Sequence, residues 1–310
     1  MVTFSPKIDK ISENIIFLLS LDSRISISDI AKELKVPRKI VETRYNNLFS
    51  KSYIKPLSIS NEPNRFRFTI LVKLSKFQLD IMEKVKKMDG LLKLKETLGT
   101  YDISMLFDVY AQQTKEEIID KVSNLLSKNT LTFDVIDHTY EDTLGYKSFC
   151  HDPNNLTKYL PLQPNNIILE SKELQVLELI KENPLDSFVN MSKKTKLNYP
   201  KLKAIVEKLL INNVVRFSVD PDYNRLGLQF HNVLLKIKPA KREDFENYIQ
   251  KHPRIHWVKK SLGRWNYILS ITAQDINKFI DISKQIRADN QDSVLEETSL
   301  ISKINEARKY

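Results

Sequence analysis

The sequence contains little cysteine and glycine, and it has no long apolar run. A single cysteine, Cys150, cannot form an internal disulfide or a cysteine-rich zinc site, so nothing indicates secretion. Five glycines in 310 residues leave little room for a nucleotide-binding loop, and no Gly-x-Ser-x-Gly elbow or dinucleotide fingerprint occurs. No apolar run approaches the ~18 residues of a membrane span, and the N-terminus lacks a signal-peptide cleavage pattern. We therefore expect a soluble cytoplasmic protein.

The histidines do not form a metal-binding pattern. They show neither the His-x-x-x-His spacing nor the neighbouring cysteine and acidic residues of a metal site. The five are His138, His151, His231, His252 and His256. We interpret them as structural or surface residues, and we expect no metal, no cofactor and no catalytic residue.

Positive charge is present in excess and is unevenly distributed. The chain has 49 basic and 39 acidic residues, a formal charge of +10. Residues 1–60 carry 10 basic and 6 acidic side chains, and residues 225–310 carry 16 and 10, whereas the middle of the chain is close to neutral. This distribution favours a protein that meets a polyanion through part of its surface. A lysine-rich protein with solvated helix faces is an equally good interpretation of the charge alone.

The first 64 residues predict a winged helix-turn-helix domain. Apolar spacing predicts helices over 8–19, 29–34 and 38–50, with Ser28 capping the second and a three-residue connector before the third. Two short extended runs after the third helix, interrupted by Asn and Pro, predict a wing hairpin.

Residues 65–150 then change to a pattern of strand, helix, strand, strand, helix, strand. This βαββαβ order predicts a four-stranded antiparallel sheet with two helices on one face, the ferredoxin-like arrangement. Residues 151–166, rich in Pro and Asn, are predicted to be a linker.

The same order of predicted helices and strands recurs after the linker. Residues 167–227 predict a second, degenerate winged helix-turn-helix, and residues 228–310 a second ferredoxin-like domain. The apolar pair Tyr53 and Ile54 matches Val214 and Val215 at an offset of 161 positions, and Gly99 matches Gly263 at 164. The predicted fold class is therefore α+β, with two copies of one two-domain unit in tandem.

These residues resemble the Lrp/AsnC family of leucine-responsive, feast/famine regulators. The segment IAKELKVPRKIVETRYNNLFSKSYI is similar to that family's helix-turn-helix, and DPDYNRLGLQFHNVLLKI to its passage into the RAM effector domain. GTYDISML resembles the Gly-x-x-Asp turn of the RAM domain, and GRWNYILS is a second copy with Asn266 in place of Asp. The resemblance implies a transcriptional regulator whose RAM domains associate and bind small effectors such as amino acids.

The first recognition helix carries the strongest candidates for contact with double-stranded DNA. Side chains facing away from its apolar stripe would contact base edges, where Arg pairs with guanine and Glu accepts from cytosine: Arg38, Lys39, Glu42 and Thr43. Others at its sides or in the predicted wing would contact phosphates: Arg44, Asn46, Asn47, Lys51, Arg65 and Arg67.

The second recognition helix offers a basic but less well supported surface. Its candidates for phosphate contact are Tyr199, Lys201, Lys203 and Lys208. Ser192 and Thr195 place polar groups where the first copy has apolar packing, and Ile205 replaces Arg44. A DNA contact and a purely structural role are both compatible with this helix.

The two Gly-x-x-Asp-like turns are candidates for effector binding, because a carboxylate and a ring edge would hold an ammonium group. The residues are Gly99, Tyr101, Asp102, Gly263, Trp265 and Asn266. The alternative is that they only form turns and pack the sheet.

The predicted RAM domains also bear on how chains associate. One chain already holds both RAM domains, and edge strands and uncovered sheet faces predict further pairing into a dimer of chains.

The predicted arrangement also resembles that of siroheme decarboxylases, which carry a strand reading roughly Val-Ser/Thr-His-Cys-Tyr-x-Arg. Residues 258–264, VKKSLGR, carry lysine in place of that histidine, so we expect no enzyme. An architectural chromatin protein is a third interpretation.

Overall fold

A computed structural model describes residues 8–62, 65–76, 79–127, 129–151 and 167–307, with no account of the side chains of 79–80 and 302–307. The first half comprises α1 (Lys10–Leu21), α2 (Ile27–Leu34), α3 (Arg38–Ser50), β1 (Ile54–Ser60), β2 (Phe66–Leu74), α4 (Leu79–Lys86), β3 (Leu91–Leu98), β4 (Ile103–Val109), α5 (Gln112–Leu126) and β5 (Thr130–Thr143). The second half comprises α6 (Ser171–Glu182), α7 (Phe188–Thr195), α8 (Tyr199–Ile211), β6 (Val215–Pro221), β7 (Gln229–Ile237), α9 (Arg242–Lys251), β8 (Ile255–Leu262), β9 (Tyr267–Ala273), α10 (Ile276–Asp289) and β10 (Val294–Ala307). Apart from His151, the predicted linker lies outside the described residues.

The two three-helix units, α1–α3 and α6–α8, begin and end their second helices in the same way. Ser26 caps α2 by accepting from Asp29 N, and Ser187 caps α7 by accepting from Asn190 N. The predicted cap, Ser28, lies inside α2 instead. Each helix ends at a lysine in the left-handed conformation, Lys35 with φ 55° and Lys196 with φ 58°. These ends aim α3 and α8 away from the helices before them.

The second three-helix unit is as well packed as the first, contrary to the prediction of poor packing. Met191 of α7 is fully buried among apolar side chains of α6 and α8. The buried Thr195 hydroxyl donates to Met191 O at 2.8 Å, and Ser192 Oγ donates to Leu197 O. Because both hydroxyls bond to the backbone, their burial leaves no unsatisfied donor.

The predicted wing hairpin is wrong. Strand β1 pairs antiparallel with β6, its counterpart in the second half, from Ile54 opposite Pro221 to Ser60 opposite Val215. Apolar residues of β1, Leu57 and Ile59, lie against Trp257 of the barrel described below. The two strands form a ribbon that joins the two halves.

The remaining eight strands close into one barrel in the order β10-β3-β4-β2-β5-β8-β9-β7. Strands β3-β4-β2-β5 come from the first half, and β5 pairs with β8 while β10 pairs with both β3 and β7. Neither half therefore keeps a free edge strand in the barrel, so the barrel edges are not available to pair with another chain. The order is unchanged when the two halves are exchanged, so the barrel has an approximate two-fold symmetry.

Each half packs its helices against the outer face of the barrel. Alternate residues of β2 and β4 face α4 and α5, and those of β7 and β9 face α9 and α10. The opposite faces of the strands point into the barrel. At the end with the two Gly turns this interior is filled by apolar side chains: Leu71, Tyr101, Ile136, Leu234, Trp265, Ile268 and Leu300.

The two three-helix units are fixed to each other. Arg24 Nε donates to Pro184 O at 2.9 Å, and its guanidinium lies 4.1 Å from the centre of the Phe217 ring. Helix α1 packs on β6, where Ser218 Oγ donates to Ser20 O at 3.0 Å. In the described part of the chain, no helix is long and apolar enough to cross a membrane.

The hydrogen bond between Trp265 and Tyr101 at the apolar end of the barrel interior is expected to contribute to the free energy of unfolding. Trp265 Nε1 donates to Tyr101 Oη at 2.8 Å, and this hydroxyl in turn donates to Asp134. Tyr101→Phe should lower the free energy of unfolding by ~1–3 kcal/mol, because the buried indole N–H loses its acceptor. Chemical denaturation measures this, with Tyr199→Phe at a half-exposed ring as the control. Equal midpoints for both variants would contradict the account.

Candidate nucleic-acid interface and barrel interior

Helix α3 presents a polar face whose side chains are exposed. Val41 and Leu48 are buried on the opposite side, which leaves the candidate base-reading residues accessible: Arg38, Lys39, Glu42 and Thr43. Asn46, Asn47 and Lys51 are exposed as well. The Thr43 hydroxyl donates to Lys39 O at 2.9 Å within the helix. The face therefore has the accessibility that DNA contact requires.

Arg44 is the exception among the candidates on α3. Its Nε donates to Asp9 Oδ2 at 2.8 Å, and Asp9 also caps α1 by accepting from Ser12 N. The bond to Ser12 N and the Arg44 guanidinium lower the pKa of Asp9, although burial opposes this. Arg44 therefore holds α3 to the start of α1, which makes it a positioning residue rather than a free cation.

Helices α7 and α8 form the more basic of the two surfaces. Residues 188–211 hold six lysines against one glutamate, a net +5, whereas residues 27–50 hold five basic against three acidic residues, a net +2. The candidates on α8 are all exposed: Tyr199, Lys201, Lys203 and Lys208. Lys203 lies 3.6 Å from Glu207, and Lys208 2.6 Å from Glu173. Of these three lysines, Lys201 alone has no carboxylate within 4 Å in the described part of the chain.

Arg65 and Arg67 are not available to DNA, which corrects their assignment to a wing. Both side chains are more than four-fifths buried and point to Asp108, Arg65 from Nε at 2.6 Å and Arg67 from Nη2 at 2.9 Å. Glu141 lies 2.6 Å from Arg67 Nη1. The two carboxylates raise the pKa of Arg67 despite its burial. The charges of the two arginines are therefore neutralised by carboxylates inside the protein, because β2 lines the barrel.

A chain of ion pairs runs from Arg67 and Arg65 in two directions, toward the barrel interior and toward the second three-helix unit. Toward the barrel interior, Glu141 contacts Lys259 Nζ at 3.3 Å. Toward the second three-helix unit, Arg65 Nη1 contacts Glu62 Oε1 at 3.1 Å, and that oxygen lies 3.0 Å from Lys181 Nζ of α6. The chain physically joins the barrel interior to the helix bundle that carries α8.

The turn residues predicted to bind an effector are engaged in packing. Tyr101 and Trp265 are buried in the barrel, and their mutual hydrogen bond leaves no accessible ring edge. Asp102 accepts from Leu74 N at 2.8 Å, and its counterpart Asn266 accepts from Ile237 N at 2.8 Å. Both side chains lock a turn to the neighbouring strand.

The two glycines serve the same turns. Gly99 and Gly263 have φ near 120°, and a Cβ atom would lie 3.1 Å from Ser299 O or Val135 O. All six residues therefore have a structural role at this end of the barrel, which favours their interpretation as turn and packing residues, and effector binding there stays a prediction.

The middle of the barrel interior is polar. Two lysines on opposite strands, Lys95 of β3 and Lys259 of β8, share this layer with small side chains that face inward by register: Thr69, Ser104, Asn232 and Ser270. We call these six residues the barrel chamber. Burial and the repulsion of Lys93 and Lys259 lower the pKa of Lys95 to about 7, and burial lowers that of Lys259 to about 8.

His138 lies beside the chamber in a chain of hydrogen bonds. Its Nε2 is 2.7 Å from Thr69 Oγ1, and its Nδ1 is 2.8 Å from Ser261 Oγ. Burial and the Lys259 charge hold its pKa well below the usual range, so the ring is neutral. Four of the five histidines are buried or bonded inside the fold, His138, His231, His252 and His256, which fits their structural interpretation. No cluster of potential metal ligands occurs among the described residues.

Comparison with known proteins supports the sequence resemblance over part of the chain. The chain is 25% identical over 144 residues to the HTH-type transcriptional regulator Ptr1 of Methanocaldococcus jannaschii, a match that covers 44% of this chain and 95% of the relative. It is 26% identical over 115 residues to the HTH-type transcriptional regulator LrpC of Bacillus subtilis, covering 36% and 80%. No family model matches the chain.

Among solved structures, the siroheme decarboxylase NirDL shares the fold over nearly the full length. Its TM-score is 0.62 at 11% identity, with 94% of this chain and 90% of NirDL covered. The same enzyme in complex with an iron-uroporphyrin III analogue gives the same score. The expectation that the chain is not an enzyme is therefore contradicted, because the chain shares its fold over 94% of its length with an enzyme. The chain thus resembles the Lrp/AsnC regulators in sequence, and it shares its full-length fold with a siroheme decarboxylase.

Proposed function

We propose that the protein is a sequence-specific, DNA-binding transcriptional regulator of the Lrp/AsnC type, built from two helix-turn-helix and RAM units in tandem. The observation that carries this proposal is the pair of complete three-helix units, fixed to each other by Arg24 and the β1–β6 ribbon. Each unit ends in a recognition helix with an exposed polar face. The sequence similarity to two HTH-type regulators supports it.

The two recognition helices contribute differently to DNA binding. Helix α3 supplies side chains suited to base edges, among them Arg38 and Glu42, and carries little net charge. Helix α8 supplies lysines, and its unit has the higher positive charge, so it acts mainly on phosphates. We assign sequence discrimination to α3 and most of the salt-dependent affinity to α8.

This division predicts two distinct mutant phenotypes. Arg38→Ala with Lys39→Ala should abolish the preference for a target site over random DNA, because base contacts are lost. Lys201→Ala with Lys203→Ala should weaken binding to both, and reduce the slope of log K against log salt by ~2, since each phosphate contact contributes ~0.9. Fluorescence anisotropy at several salt concentrations measures both quantities.

The exposed pair Lys278 and Lys284 on α10 provides a matched control of equal charge change. Their double substitution should leave specificity and the salt slope unchanged. If the change in α8 removes specificity while the change in α3 does not, the assignment of the two helices is wrong.

We further propose that two chains associate through their barrels. Four leucines are exposed on strands at the end of the barrel that carries the Gly turns, and they form two pairs 164 positions apart: Leu98, Leu131, Leu262 and Leu295. Exposed apolar side chains of this size favour a protein contact. Light scattering measures the mass, and a monomer at every concentration would remove this part of the proposal.

The operator is expected to be asymmetric within each chain's footprint. Exposed positions of the two helices differ, with Arg38 opposite Tyr199, Glu42 opposite Lys203 and Thr43 opposite Ala204 in the repeat. Identical half-sites would not satisfy both helices. Footprinting should show one inverted pair of specific motifs, read by the α3 helices of two chains, beside protected DNA of loose sequence. Four equivalent half-sites would contradict this assignment.

An enzymatic role is the second candidate, favoured by the full-length fold match to siroheme decarboxylase NirDL. In the strand where those enzymes carry histidine, this chain carries Lys260, whose Nζ lies 2.7 Å from Glu246 Oε2 on α9. Proton transfer would therefore depend on another group, and His138 with Ser261 is the hydrogen-bonded pair inside the barrel.

Siroheme is the substrate with which to test this candidate. A shift of its Soret band on adding the protein, followed by loss of carboxyl groups in the mass spectrum of the recovered pigment, would establish the enzymatic role. An unshifted band and unchanged pigment mass would remove it.

A further inference from the structure

The exposed face at the start of α8 differs in chemistry from that of α3. At the four equivalent positions, α3 carries two cations, a carboxylate and a hydroxyl, whereas α8 carries an aromatic ring, a proline, an alanine and one lysine. The four residues of α8 are all exposed: Tyr199, Pro200, Lys203 and Ala204. Apart from Lys203, none of them carries a group that forms bidentate hydrogen bonds to base edges. This face is therefore largely apolar.

Tyr199 is the first residue of α8, and its ring is 50% exposed but held in place. The ring of Phe188 on α7 meets it edge to face, with 5.8 Å between the ring centres and 89° between the ring planes. Phe188 in turn lies 5.2 Å from the guanidinium of Arg24. Asn198 Oδ1 accepts from Lys201 N at 3.0 Å, which fixes the start of the helix. A supported ring loses little conformational entropy when it makes a contact.

Lysines surround this apolar face. Lys193, Lys196 and Lys201 are exposed on or beside α7 and α8, in a segment whose net charge is +5. Apolar groups set among cations match a polyanion that carries apolar groups of its own. Duplex DNA is such a polyanion, because each thymine presents its C5-methyl group in the major groove. The first residues of a recognition helix are also those that reach base edges.

We propose that α8 reads thymine C5-methyl groups in the major groove, through the Tyr199 ring and the Ala204 methyl group. At 100° per residue these two side chains lie at the two edges of the exposed face, so they contact different base pairs. Alanine and aromatic side chains are suited to apolar contact with this methyl group. The inference rests on the proposed function, and it adds a preference for thymine to the phosphate contacts assigned to α8.

Recognition of a methyl group differs from recognition of DNA shape. A·T-rich DNA also attracts proteins through its narrow minor groove and its deformability, neither of which requires the C5-methyl group. Uracil lacks only that methyl group, whereas 5-methylcytosine carries the same methyl group on a G·C pair. Exchanging these bases therefore separates the two mechanisms.

A duplex that the wild-type protein selects from a random library provides the probe. Thymines in the protected DNA beside the motif read by α3 are replaced by uracil, and affinity is measured by fluorescence anisotropy. Each contacted methyl group that is removed should weaken binding about 4-fold, as expected for one buried carbon. Replacement of the same thymines by cytosine should weaken binding as well, and 5-methylcytosine should restore part of the loss. Uracil placed outside the protected DNA should have no effect.

Variants of the exposed side chains assign the effect to α8. Tyr199→Ser should lose most of the preference for thymine over uracil, whereas Tyr199→Phe should keep it because the ring remains. Ile211→Ser provides the matched control, since it removes a 77% exposed apolar side chain from the other end of the same helix. This control should discriminate between the two duplexes as the wild type does.

Two results would overturn the inference. Equal affinity of the wild type for thymine and uracil duplexes would show that the methyl groups are not read. An unchanged preference in Tyr199→Ser would show that another part of the protein reads them, and would favour a protein contact for the apolar face of α8. With either result, specific binding through α3 would still support the proposed function, whereas failure to bind any duplex would remove both.

Discussion

Pairing of β5 with β8 and of β10 with β3 is the constraint on which the rest of the structure depends. Each half alone would expose two strand edges and one polar-lined sheet face. Closing the barrel satisfies the backbone groups of both edges and turns the two inner faces into an interior. The same closure fixes the β1–β6 ribbon above the barrel, and the ribbon in turn sets the two three-helix units side by side.

Duplication within one chain allows the two halves to diverge where two identical subunits could not. Tyr101 and Trp265 occupy equivalent positions and form one hydrogen bond across the interior, which two copies of either residue would make differently. Lys95 and Lys259 are equivalent as well, and among the described side chains Glu141 of β5 lies beside Lys259 rather than Lys95. The two recognition helices have diverged as well: α3 presents a polar face and α8 a basic one.

Much of this architecture could be predicted from local pattern. The element order, the repeat offset and the exposed face of α3 follow from apolar periodicity and from capping residues such as Ser187. The pairing of β1 with β6 could not be predicted, because strand partners across 161 residues leave no local signal. Arg65 and Arg67 could not be placed for the same reason: the alternation of Arg65, just before β2, with Arg67 on β2 is typical of a solvated face until closure of the barrel buries it.

The chamber residues carried a signal that only the closed barrel makes interpretable. Lys93, Lys95 and Thr97 alternate along one strand, and Trp257, Lys259 and Ser261 repeat that alternation 164 positions later. In an open sheet such a pattern indicates solvent exposure, whereas here it lines an interior. The exclusion of an enzyme failed in a related way, since the absence of one histidine in one strand says nothing of the fold that surrounds it.

The account's central claim is that this fused pair of units recognises particular DNA sites. Genome-wide mapping of bound DNA in cells, made with the wild type and with the Arg38→Ala, Lys39→Ala variant, tests it most directly. The account predicts discrete promoter peaks for the wild type and their loss in the variant at equal protein level. Broad coverage without peaks, or peaks that persist unchanged in the variant, would contradict it.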